Sequence, residues 1–329
     1  MQAVDFHCDT LSALLNAQRS GKPLSFRHND LHIDLDKLQR GNYMLQCFAA
    51  FVDLDSADRS PLEIALEEYD CFFRIMREYP DEIAQVKTWA DIEENRRKGR
   101  ISALMTMEEG GCCLGEPALL RVFYQLGVRI MTLTWNHENG LAYPNIMPRD
   151  RANGAVCRAD TIHGLKEKGF EFVNEMENLG MIVDVSHLSD AGFCDVCRIS
   201  HRPFIASHSN ARAVSGHVRN LTDDMLRAIA EHGGLTGINF CGAFLAPDST
   251  QPASTAALMV DHIDHIRKVG GLDMIALGSD YDGIGGVLEL ADCSYMPLLE
   301  AELHRRGYSD DAIEAVFCGN ALRLLKEFL

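Results

Sequence analysis

The chain has no long hydrophobic run. None of its 329 residues lie in a stretch approaching the ~18 uninterrupted apolar positions of a membrane-spanning helix, which excludes a helical span. Its opening residues, MQAVDFHCDT, lack the basic start and apolar core of a secretory signal, which predicts a cytoplasmic protein. Positive charge is scarce: 31 Lys and Arg stand against 48 Asp and Glu, a formal net charge of −17. Phosphates need Lys and Arg, so nucleic acid and anionic membrane surfaces are excluded as partners. Low-complexity tracts and Pro/Gly linkers are missing too, which predicts one catalytic domain over 1–329. Nor is there a disulfide framework. The 11 cysteines are an odd number spread through a large chain, several at core-like positions (Cys47, Cys71, Cys157), as expected of reduced thiols. Cys194 and Cys197 form a C-x-x-C in a helical stretch, but no second pair completes a zinc site, so they read as two thiols on one helix face.

What is present is a globular composition, 47% hydrophobic and 24% charged, laid out as alternating short apolar runs and longer amphipathic stretches. Eight runs read as buried parallel strands: Ala3–His7, Tyr43–Phe51, Ile101–Met107, Arg129–Trp135, Met181–Ser186, Pro203–Ser207, Leu235–Phe240 and Met274–Gly278. Helical patterns follow most of them, among them Pro61–Tyr79, Pro117–Leu126, Thr161–Leu179, Asp223–Glu231 and Leu258–Val269. Tyr295–Arg306 and Ser309–Phe328 close the chain as C-terminal helices. Strand–helix alternation implies a parallel sheet covered by helices. Eight strands make an α/β fold of the (β/α)8 TIM-like barrel type the leading expectation. A doubly wound open sheet is the alternative, although no G-x-G-x-x-G follows the first strand.

Barrel enzymes carry their reacting groups at the C-terminal ends of strands. The first strand ends in His7-Cys8-Asp9, where the period of two sets His7 and Asp9 on one side and Cys8 opposite. The third runs into Glu108-Glu109-Gly110-Gly111. The fifth ends Asp184-Val185-Ser186-His187, the sixth Ala206-Ser207-His208 and the eighth Gly278-Ser279-Asp280-Tyr281-Asp282. One such residue is ordinarily structural, as is His32 in a charged segment with no clear strand before it. Ionisable groups at five strand ends of one rim need neutralising, and a divalent metal does this with nitrogen and oxygen ligands that suit zinc. Five ligands exceed the three of a mononuclear catalytic zinc, so two metals sharing one carboxylate is the economical arrangement.

These segments resemble the membrane (renal) dipeptidase family. The likeness continues through Leu126-Gly127-Val128-Arg129, Asp261-His262-Ile263-Asp264-His265 and Gly319-Asn320-Ala321-Leu322-Arg323, in order along essentially the whole chain. The resemblance implies a metal-dependent hydrolase barrel with two Zn2+ per subunit, a homodimer, and cleavage of dipeptides that often tolerates a D residue in second place. By position, His7 and Asp9 would hold one zinc, His187 and His208 the other, and Glu108 with a hydroxide would bridge them. Glu109 then falls where the family often has Gly. Asp280 matches the acid/base aspartate and Arg219 an arginine that contacts substrate. Trp135 stands where the family has a histidine thought to position substrate, and His137, two residues on, is the candidate to take over that role. The leader and lipid-anchor tail of the animal members have no counterpart here, in keeping with a cytoplasmic expectation.

The mechanism so implied has the shared water ionise near neutral pH, Asp280 carry its proton to the leaving amine, and Arg219 pair with the terminal carboxylate. His262 and His265, on a helix outside the barrel, read as structural. Three rivals remain. Phosphotriesterase-like hydrolases and deaminases usually carry H-x-H on strand one, and often a carboxylated lysine on strand four, neither of which is found here. An amidohydrolase acting on N-acyl amino acids, and a non-catalytic metal-binding barrel, complete the alternatives.

Overall fold

The computed structural model describes residues 1–146, 157–248 and 252–329. Its strands are β1 (Ala3–Asp5), β2 (Tyr43–Phe51), β3 (Ile83–Val86), β4 (Ile101–Glu108), β5 (Val128–Thr132), β6 (Ile182–Asp184), β7 (Ile205–Ala206), β8 (Leu235–Ile238) and β9 (Ile275–Leu277). They are hydrogen-bonded in the order β2-β1-β9-β8-β7-β6-β5-β4-β3, and β2 also pairs with β4. That last pairing, parallel from Leu45↔Ser102 to Phe51↔Glu108, closes eight strands into a barrel with helices around it.

All eight expected runs supply a barrel strand. β3 is additional. Of its four residues, Ile-Ala-Gln-Val, the outer two are buried and the inner two only partly so, and the run is too short to carry a periodic signal. They pair with the N-terminal half of β4, from Ile83↔Ile101 to Val86↔Leu104, while β5 pairs with its C-terminal half from Met105↔Val128 onward. β3 is thus a flap beside the barrel rather than a stave of it.

Several strands are shorter than expected because regular pairing stops as the chain turns into the rim. β1 ends at Asp5 and β5 at Thr132, leaving His7 and Trp135 in the loops that follow. The expected helix from Thr161 begins only at Glu167, since Ala142 bridges Leu165 and the Asp160 carboxylate accepts the N–H groups of Ile162 and His163. The helix after Ser309 starts there, with the hydroxyl accepting from the Ala312 N–H, and runs to Phe328 through one π-helical turn at Ala315–Gly319.

The apolar side chains divide into two buried sets. The larger packs the outer face of the strands against the surrounding helices. The smaller draws Val4, Leu45, Leu104, Ile130, Ile182 and Leu235 from the N-terminal halves of the strands onto Ala321, Leu324 and Leu325 of the last helix. That helix therefore stoppers the barrel's N-terminal end and leaves the opposite rim open. All 11 cysteines are free thiols; Cys157 is only partly buried, and Cys194 and Cys197 share helix Asp190–Ile199. Among the described residues, no helix is long and apolar enough to cross a membrane.

Candidate metal centre and active site

The ends of β1 and β9 stay zipped beyond their regular pairing. The Phe6 N–H donates to the Leu277 carbonyl at 3.0 Å, the Asp280 N–H to the His7 carbonyl at 3.2 Å and the Asp9 N–H to the Tyr281 carbonyl at 2.9 Å. His7, Asp9 and Asp280 are held together as a result. Below them, buried Asp5 accepts the backbone N–H of Ser279 at 2.9 Å and its hydroxyl at 2.6 Å, together with the His7 N–H at 3.2 Å. Across the barrel, buried Asp184 repeats this device. It accepts the Ser207 N–H at 2.9 Å, the Ser207 hydroxyl at 2.5 Å and the Ser186 N–H at 2.9 Å. Each aspartate thus grips a serine one residue before a rim group, Asp280 in the first case and His208 in the second.

The side chains above these clasps converge. His7 Nε2 lies 3.2 Å from Glu108 Oε2, 3.7 Å from Asp9 Oδ1 and 3.9 Å from Asp280 Oδ1. The other Glu108 oxygen, Oε1, lies 2.9 Å from His187 Nε2 and 3.3 Å from His208 Nε2, and those two nitrogens are 2.9 Å apart. One carboxylate therefore faces two sets of ligand-type atoms, one per oxygen. His7 Nε2, Asp9 Oδ1 and Glu108 Oε1 are buried without a hydrogen-bond partner. Nitrogen and carboxylate atoms crowded together with no hydrogen bond to satisfy them fit a cation, and His7, Glu108 and His208, or His7, Asp9 and Asp280, each bring ligand atoms within 4.8 Å of one another.

Charge follows the same division. Burial pushes the Asp9 carboxyl up to about 6, helped by Glu108, and the Asp280 carboxyl up to about 7, helped by Asp9 and Glu108. Glu108 is held well below the usual range, because His7 and His187 outweigh its burial. Burial and the charge of His7 lower His208 to about 4, and burial with Arg219 lowers His187 well below its ordinary value. Both imidazoles are neutral at physiological pH, the form that ligates metal. Their second nitrogens are engaged: His187 Nδ1 is 2.8 Å from Asn136 Oδ1, and His208 Nδ1 is 2.7 Å from the Ser207 hydroxyl.

A cavity of about 600 Å³ opens over this cluster, with Asp9, Glu108, His187 and Asp280 at its floor and Phe51, Trp135 and Phe244 in its walls. Asp280 Oδ2 accepts from the Asn239 amide at 2.8 Å. Arg219 is buried beside the centre, 5.6 Å from the Phe244 ring. Its terminal nitrogens make only two contacts, both at 3.4 Å, and its Nε has no partner among the described residues. His137 stands behind the wall, its ring 5.3 Å from that of Trp135. Its Nε2 lies 3.0 Å from Asp53 Oδ1 and its Nδ1 3.5 Å from Asp55 Oδ2, and it does not line the cavity, whereas Trp135 does.

His32, discounted from sequence, supports the rim from outside: the Asp282 N–H donates to its Nδ1 at 2.9 Å, while its own N–H donates to the Asp282 carboxylate at 2.6 Å. His262 accepts from the Ala211 N–H and donates to the Leu245 carbonyl, joining two loops, and His265 pairs with Asp223 at 2.7 Å. Sequence reasoning missed Asn136, Ser207, Ser279 and Asn239. The one available signal was their adjacency to rim residues, as in Ser207-His208 and Ser279-Asp280.

A family model described as membrane dipeptidase, peptidase family M19, matches residues 1–328. The chain belongs to this family. It is 34% identical over 295 residues to dipeptidase 3 of Mus musculus, an alignment covering 89% of this chain but only 57% of that protein. Dipeptidase tcpJ of Claviceps purpurea is 30% identical over 305 residues, covering 90% of this chain and 69% of the relative. Two solved structures match over the full chain. A metallo peptidase from Rhodobacter sphaeroides, liganded with a phosphinate mimic of the dipeptide L-Ala-D-Ala, superposes with a TM-score of 0.88 at 28% identity, covering 100% of this chain and 99% of that one. Dipeptidase AC, of peptidase family M19, gives 0.89 at 28% identity, covering 100% and 98%.

Proposed function

We propose that this M19 member is a binuclear zinc dipeptidase that hydrolyses the peptide bond of dipeptides, including those with a D residue in second place. The observation that carries the reading is the split face of Glu108, with His7 before one oxygen, Asp9 beside that His7, and His187 and His208 before the other oxygen. Those five side chains would hold the metals. When bound, such a pair brings the pKa of a coordinated water toward ~7 and polarises a carbonyl.

The chain's own residues do the rest. Asp280, 3.9 Å from His7 and steadied by the Asn239 amide, takes the proton of the attacking water and returns it to the leaving amine. Its own surroundings place its carboxyl at about 7, and a cation held beside it by His7 and Asp9 acts in the opposite sense, keeping it ionised as a base. Arg219, buried and under-bonded, has donors to spare for the substrate's terminal carboxylate. Support for a dipeptide substrate also comes from the Rhodobacter sphaeroides neighbour, which holds a mimic of L-Ala-D-Ala.

The test is amine release from L-Ala–D-Ala by zinc-loaded protein against a chelated control. Metal-dependent turnover supports the dipeptidase. Two metals bound with no turnover of any dipeptide, but cleavage of N-acyl amino acids, would replace it with the amidohydrolase reading.

A further inference from the structure

Glu109 follows the split carboxylate of Glu108, yet it reaches neither the ligand cluster nor the cavity. It is fully buried and its φ is +102°, a backbone conformation that side chains other than glycine rarely adopt. A glycine would take that angle without strain but would bring no acceptor. The Glu109 carboxylate accepts from the Gly111 N–H at 2.7 Å, from the Trp135 N–H at 2.9 Å and, very closely, from the Asn139 side-chain amide. Asn139 in turn donates to the Leu133 carbonyl and accepts from the N–H groups of Leu141 and Ala142. The loop after β5 is therefore wound around one buried carboxylate. Contact is backbone-close, since a Cβ on Gly110 would stand 2.9 Å from the Leu133 carbonyl oxygen.

The outer side of this loop works in the site. Trp135 walls the cavity, edge-on to Phe51 with ring centroids 4.9 Å apart and 6.0 Å from the His187 ring. The next residue, Asn136, holds His187 Nδ1 at 2.8 Å. Among the described residues, the anchor on the Trp135 backbone N–H is Glu109.

We propose that Glu109 is a positioning residue that fixes Trp135 and Asn136, and that the Trp135–Phe51 wall it holds selects dipeptides with an apolar or aromatic side chain packed there. The selectivity half rests on the dipeptidase reading; the positioning half does not. Apolar surface next to a hydrophobic wall discriminates by burial, and a wall acts only if it keeps its place.

The chain contains two tryptophans, Trp89 and Trp135, so Trp89→Phe leaves the indole of interest as the sole emitter. In that background, Glu109→Gly relieves the backbone and removes all three acceptor bonds. The isosteric Glu109→Gln turns an N–H donor toward either the Trp135 or the Gly111 N–H. Both variants are expected to shift Trp135 emission to the red and to raise its acrylamide quenching at least twofold, with the melting transition still cooperative. On substrates, Glu109→Gly should lower the preference for a phenylalanyl over an alanyl dipeptide by about tenfold, chiefly through KM. Trp135→Ala should lower it equally, and the double variant should fall no further. Unchanged emission and quenching would overturn the positioning role. Losses that multiply in the double variant would overturn the action through Trp135. If the parent turns over no dipeptide, the dipeptidase reading fails while the fluorescence comparison still decides the positioning.

Discussion

Replacing Asp184 by Asn should weaken zinc binding without touching a ligand. The Ser207 hydroxyl donates to Asp184 Oδ2 at 2.5 Å, so the contact of 2.7 Å between the Ser207 hydroxyl oxygen and His208 Nδ1 carries the histidine's proton. His208 is thereby fixed with Nε2 unprotonated and facing Glu108 and His187. Asp184 is buried, but the Ser207 hydroxyl and N–H and the Thr132 hydroxyl donate to it and hold its carboxyl below the usual range, so it stays ionised. In Asp184→Asn, the amide oxygen can still accept the Ser186 and Ser207 N–H groups, while the new NH2 faces the Ser207 hydroxyl. That hydroxyl then accepts instead of donating, and its proton is free to turn to His208 Nδ1. The tautomer with a protonated Nε2 cannot ligate. Losing such a partner typically weakens metal affinity by roughly 10- to 100-fold, which is about 1.4–2.7 kcal/mol. Competition against a chromophoric chelator reads this directly, and of the two proposed metal sites the one that would use His208 should weaken while the other holds. Ser207→Ala, which removes the relay atom itself, should produce the same change. Wild-type affinity at both sites in Asp184→Asn would refute the tautomer argument.

Asp280→Asn should keep both metals and the fold while lowering kcat by roughly 10²- to 10⁴-fold, and near-full activity would end its proton-shuttle role. Arg219→Met should raise KM for dipeptides by about tenfold or more, and parent and variant should converge on substrates whose C-terminus is an amide. Chelation should abolish turnover, and zinc should restore it. Acid should destabilise the fold through His262. Burial lowers its pKa to about 4 from 6.5, so the folded chain binds the proton more weakly than the unfolded one. The stability it contributes is complete above pH ~6.5 and lost as pH falls to ~4, at most about 3 kcal/mol, and urea titrations of His262→Gln should lack that part of the pH slope. The proposed homodimer should sediment as a pair, and a solution mass of 36.6 kDa would contradict it.

The barrel was legible because its strands are buried on both faces and read as unbroken apolar runs, and because rim residues recur at their ends. His7-Cys8-Asp9 and Ser207-His208 announce themselves as chemistry placed where a strand stops. β3 did not, because an added strand with two half-exposed residues has no face to write in sequence. The His137 expectation came from proximity alone. Trp135 lines the cavity, and His137, its ring 5.3 Å from that of Trp135, pairs with the Asp53 and Asp55 carboxylates. Glu109 looked like a spare carboxylate, and only its three donors show its work.

Strain explains why the supporting residues matter as much as the ligands. Among the described residues, six non-glycine positions have positive φ, and four of them, Glu109, His187, Asp280 and Asp282, stand at the rim. None is marked in the sequence, since no glycine replaces them. Each such conformation costs on the order of 1–3 kcal/mol and persists only where its surroundings over-determine it. Here the surroundings are identifiable: Asp5 holds the strand end before Asp280, Asp184 the one before His208, Asn136 the ring of His187 and Glu109 the loop that bears Asn136. The buried carboxylates beneath the rim thus hold together lone pairs and charges that would otherwise relax away from one another. Removing one should loosen the site more than the fold, because the two apolar packing sets below and around it do not depend on these contacts.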